Sequence, residues 1–101
     1  MAIGANVPTY GWDAMPIVQN APHLSGIFAI FGARGCIYVG GSDDIRASLL
    51  RHYGDENSCV MRNAPIGFQY LLVPSSLRIF QQNQLIFALQ PICNRHEEQI
   101  G

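Results

Sequence analysis

The stretch SGIFAIFGARGCIYVGG, Ser25 to Gly41, decides how the chain is read. Ile27 to Phe31 is rich in β-branched and aromatic residues, and Cys36 to Val39 repeats that character. Gly32-Ala33-Arg34-Gly35 separates the two runs. Glycine at both ends of so short a link suits a reversal between antiparallel strands. The middle of the chain therefore opens with a β-hairpin.

Working outward from there, Ser42 reads as the cap of a helix. Asp43 and Asp44 fall in its first turn, where carboxylates favour the positive end of the helix dipole. DDIRASLLRHY places Ile45, Leu49, Leu50 and Tyr53 on one face, with Arg46 and Arg51 toward the flanks. GDENS is a polar loop, and CVMRNA is a short helical turn. IGFQYLLV, residues 66–73, is a third strand, apolar enough to lie centrally. RIFQQNQLIFALQP reads as a last helix, with Ser76 as its cap and Pro91 as its stop. Ile79, Gln82, Ile86 and Leu89 lie along one line of it, which predicts a core-facing stripe with an amide inside. ICN suits a short tail strand, and RHEEQIG a solvated end.

Residues 1–24 hold Pro8, Pro16, Pro22, Gly4 and Gly11 and keep no period, so they read as an irregular extension, with room for a short strand or a turn of helix, anchored by Tyr10 and Trp12. Residues 25–101 form the domain proper. The order hairpin, helix, strand, helix is that of an α/β domain: a small sheet with helices packed on it.

The totals bound the function. At 101 residues, 49% of them hydrophobic, the chain is one domain with a modest core. The charged share of 13% is about half the usual, which leaves apolar surface for a protein partner or for self-association. The six basic residues are all Arg and are scattered, and the formal net charge is −1. Strong unaided DNA binding is disfavoured, because phosphate neutralisation supplies most of such affinity. Cys36, Cys59 and Cys93 show no metal-ligand spacing, and an odd, widely spaced set suits reduced core thiols in a cytoplasm. No signal peptide and no membrane-length apolar run is present, so no membrane partner is expected.

GIF (26–28) and YVG (38–40), with nine residues between them, together resemble the paired signatures of the GIY-YIG nuclease family. QLIFALQPICN is similar to the way that pattern ends, and the amino-terminal nuclease domain of the bacterial excision-repair incision subunit is the nearest likeness. The resemblance spans residues 25–94. It implies a three-stranded antiparallel sheet flanked by helices. It also implies DNA phosphodiester hydrolysis with one divalent ion, Mg2+ or Mn2+, held by one Glu.

The reactive positions are altered. Tyr38 keeps the tyrosine of the second signature, but Phe28 replaces that of the first. Gly41 stands where a basic residue is common. His52 falls at a position of a possible base, and Asn94 matches the closing Asn. Ser48 replaces the phosphate-steadying Arg, and Arg46 lies about 200° away around the helix, so it is no ready substitute. Gln82 replaces the metal-binding Glu, and an amide is a poor ligand for a hard cation held by one side chain. An engineered Glu→Gln change would account for Gln82 alone; a naturally degenerate domain accounts for Gln82, Ser48 and Phe28 together. The expectation is a binding module for nucleic acid or protein that needs no metal. Tyr38, His52, Gln82, Ser48 and Phe28 occupy the catalytic positions, and Arg46, Arg51 and Asn94 are the candidate nucleic-acid contacts. The competing expectation is an active metal-dependent endonuclease.

Overall fold

The hairpin is the centre of a sheet. In the computed structural model, which describes residues 3, 4 and 6–94, β2 (Gly26–Gly32) and β3 (Gly35–Ser42) pair antiparallel, with Ala29 opposite Val39. Gly35 has φ 133°, a conformation that favours glycine and closes the turn. β4 (Pro65–Leu72) pairs antiparallel with the other side of β2, so the most apolar strand lies inside, and all but the last residue of β2 are buried. Among the described residues the sheet has four strands and not the three that the resemblance implies. The fourth is β1 (Tyr10–Gly11), two residues in the extension, with Tyr10 opposite Phe68. The order is β1-β4-β2-β3, which leaves β3 at an edge.

Two cores sit on the two sheet faces. On one, α1 (Ala14–Asn20), α2 (Ile45–Gly54) and α3 (Cys59–Arg62) cover Phe28, Ile30, Ile37 and Phe68, with Ile17, Ile45, Leu49 and Val60 packed into them. On the other, α4 (Ser75–Leu89) covers Ala29, Phe31, Cys36 and Val39 through Leu85, Ile86 and Leu89. The extension is part of this architecture: Ile17 and Ala21 are fully buried, and the side chain of Gln69 fastens its start. Gln69 accepts from Ile3 N at 2.9 Å and donates to Val7 O at 3.0 Å and Thr9 Oγ1 at 2.9 Å.

Several local expectations need correction. α2 is capped by Asp44, which accepts from Ala47 N at 3.0 Å; Ser42 instead accepts from Asp44 N and so shapes the turn before the helix. α4 starts at Ser75 after Pro74, with no side-chain cap, and ends at Leu89 with Gln90 in the left-handed region, one residue before Pro91. Its core-facing line is not the expected one, because Ile79 points outward. Residues 92–94 are helical and not a strand, and the RHEEQIG end lies outside the described residues.

The cysteines also depart from expectation. Cys59 and Cys93 form a disulfide, their Cα atoms 5.8 Å apart, in place of two reduced thiols. They are 34 positions apart in sequence, so it is the packing of α3 beside residues 92–94 that joins them. Cys36 is the free thiol, buried under α4, and burial pushes its pKa up to about 11. Among the described residues, no helix is long and apolar enough to cross a membrane.

Candidate functional site

Alternation along β3 sorts the expected site residues. A methyl group on Gly40 would stand 2.6 Å from Phe28 Cζ and 2.8 Å from Tyr38 Cε2. One on the next residue, Gly41, would stand 2.6 Å from Gln82 Oε1 and 3.2 Å from Arg78 Cγ. Neighbouring strand residues face opposite ways. Tyr38 and Phe28 thus lie under α2, while Gln82 lies across the sheet on α4.

On the α2 side, three rings gather. The Tyr38 and His52 centroids are 4.8 Å apart, those of Phe28 and His52 5.9 Å, and those of Phe28 and Tyr38 6.0 Å. Tyr38 and His52 open onto a cavity of about 200 Å³ that Asp55, Ser58, Cys59 and Cys93 also line. Burial holds the His52 pKa below its ordinary value, the Arg51 charge adds to this, and Asp55 acts the other way. Kept neutral, the imidazole is able to accept a proton. Ser48 is buried, and its hydroxyl donates to Ser42 Oγ at 2.6 Å while accepting from Arg51 Nη2 at 3.4 Å. That hydroxyl network stands where the resemblance would put a phosphate-steadying guanidinium.

On the α4 side, Gln82 and Arg78 share a helix face, one turn apart. Arg78 donates to Asp43 Oδ1 at 2.7 Å and Ser25 Oγ at 2.9 Å, so it ties α4 to the loop after β3 and to the start of β2. Sequence reading passed over Arg78, although its spacing of four from Gln82 was the available signal. The single-carboxylate metal site of the resembled family does not fit these residues. Gln82 is neutral, a guanidinium stem lies beside it, and the Asp43 carboxylate is already paired with that guanidinium. Among the described residues, no group of three or more His, Cys, Asp and Glu side chains is placed to hold a metal ion.

Two of the three candidate nucleic-acid contacts, Arg46 and Asn94, make hydrogen bonds within the fold. Arg46 donates from Nε to Ala21 O at 2.7 Å and from Nη1 to His23 Nε2 at 3.3 Å, while His23 Nδ1 donates to Asp44 at 2.9 Å. This chain of contacts clamps α2 to the extension. Asn94 is buried; its Oδ1 accepts from Val39 N and its Nδ2 donates to Val39 O, both at 2.8 Å. Arg51 remains on the surface. The structure therefore brings Phe28, Tyr38, Ser48 and His52 to one face and leaves Gln82 on the other. The disulfide bordering the Tyr38–His52 cavity had no sequence signal. No protein-family model, curated protein or solved structure matches the chain.

Proposed function

We propose that this chain is a GIY-YIG-like domain without nuclease activity, and that it works by associating with a second copy of itself through the outward face of α4. The observation that carries this reading is the exposure of that face: Ile79 is 73%, Phe80 65% and Phe87 81% exposed. At about 100° per residue, these three fall within one arc of about 100°, on the side of the helix away from Leu85 and Leu89. Large apolar residues gathered on one helix face mark interaction surfaces.

The charge pattern favours a second copy. Arg78 is the one charged residue among the 15 of α4, and it turns inward to Asp43 and Ser25. The outward face thus carries no charge to steer a nucleic acid or an oppositely charged protein. A two-fold pair brings the same patch from both sides, and an uncharged apolar patch is complementary to itself. The amide at position 82 and the sheet between it and His52 support the non-catalytic half of the reading.

Sedimentation velocity across a concentration series tests it. The wild type is expected to form a concentration-dependent dimer, and the pair Ile79→Glu, Phe87→Glu to stay monomeric at every concentration. Monomeric wild type throughout, together with tight binding of labelled duplex DNA, would overturn it.

A further inference from the structure

We propose that Cys59–Cys93 is a thiol–disulfide switch that decides whether Asn94 covers the outer edge of β3. Three independent placements carry this. First, the bond borders an open cavity of about 200 Å³, so a small thiol can reach it. Second, His52 lines the same cavity and offers a ring nitrogen there, a base weakened by burial. Third, the residue directly after Cys93 is Asn94, whose amide occupies both backbone groups of Val39. Because β3 is an edge strand, those groups point away from β2 and would otherwise be open to a further strand. Asn94 thus stands in for a neighbouring strand at one position, and the disulfide fixes it there against α3.

The exchange balances with a dithiol reductant. Its first thiol gives a proton to His52, and the resulting thiolate attacks Cys59 Sγ, the more accessible sulfur, since Cys93 is only 2% exposed. The Cys59–Cys93 bond breaks, and Cys93 leaves as a thiolate that takes up the proton. The second thiol of the reductant then attacks the sulfur that is bound to Cys59. Cys59 departs as a thiolate and is protonated, and the reductant ends as a disulfide. Two electrons and two protons have passed to the protein. Residues 92–94 then lose their covalent tie to α3, and the amide clamp on Val39 opens more often. What the switch controls is a strand edge that is unpaired among the described residues, a natural template for β-addition. The proposal does not depend on the α4 association.

Amide exchange read residue by residue, on the full chain with and without dithiothreitol, tests this. Alkylation under denaturing conditions should count one thiol before reduction, Cys36, and three after. On reduction, exchange at the Val39 amide should rise by about tenfold or more, while amides of the central strand β2 stay slow. Cys59→Ser should show the fast Val39 rate with or without reductant, and Asn94→Ala should show it in both redox states. Three alkylatable thiols in unreduced, air-purified protein would overturn the proposal, as would a Val39 rate indifferent to reduction. Loss of protection throughout β2 on reduction would also overturn it, since the bond would then be a staple of the whole fold.

Discussion

The glycines of the two signatures have packing roles that need no substrate. A methyl group on Gly26 would run into the Leu71 carbonyl oxygen and the Ile45 side chain, and the first of these is backbone that cannot turn aside. Gly26→Ala should therefore cost about 1–3 kcal/mol in urea unfolding, an overpacking penalty; unchanged stability would contradict the β2–β4 register. Gly40 makes room for the Phe28 and Tyr38 rings, and Gly41 for the Gln82 amide. A basic side chain at position 41 and the present placement of Gln82 thus compete for one space. His52 gives a second prediction at this scale. Its pKa is lowered from 6.5, chiefly by burial, so near that pH the unfolded chain binds more protons than the folded one. The sign follows: the His52 contribution is fully present above that value and is lost as pH falls through 6.5 toward the lowered folded value. The wild type should lose more stability than His52→Gln between about pH 7.5 and about pH 5.5. Equal losses would contradict the burial of the imidazole.

Among the elements, α4 gives the sharpest contrast. Leu89 faces the sheet and Ile79 faces away from it. At concentrations low enough to keep the chain monomeric, Leu89→Ala should cost about 2–5 kcal/mol, whereas Ile79→Ala should stay within about 0.5 kcal/mol. Thermal and urea denaturation of the two variants measure the difference, and similar losses would mean that the helix is turned about its axis. The sequence misleads here because apolar residues occur all around α4, at Leu77, Ile79, Phe80, Leu85, Ile86, Phe87 and Leu89. Several lines can be drawn through such a helix, and only the sheet beneath it selects one. The hairpin was legible because two β-prone runs flank a glycine-bounded link. The end of α4 was legible because Pro91 cannot continue a helix. The start of α2 was misread because Ser42 bonds Asp44 N and Asp44 does the capping, a choice of partner that spacing alone does not fix. β1 is two residues long, too short for any alternation to show.

At the scale of the molecule, the α/β character could be read along the chain, but the division of the site could not. Matching positions in order of sequence gathers Tyr38, His52 and Gln82 into one notional centre. The pleat separates them, because Gly40 and Gly41 look to opposite faces and the helices carrying His52 and Gln82 cover different sides. The disulfide was hidden for a related reason: contact between α3 and residues 92–94 belongs to the tertiary fold and leaves no spacing to recognise. Neutral Gln82 and the intervening sheet are the basis for expecting a domain that binds without cutting. Incubating the purified chain with supercoiled plasmid and Mg2+ or Mn2+ tests that claim most directly. The plasmid should remain supercoiled. Metal-dependent nicking, abolished both by Gln82→Ala and by His52→Ala, would show the two faces acting on one phosphodiester and would contradict the account.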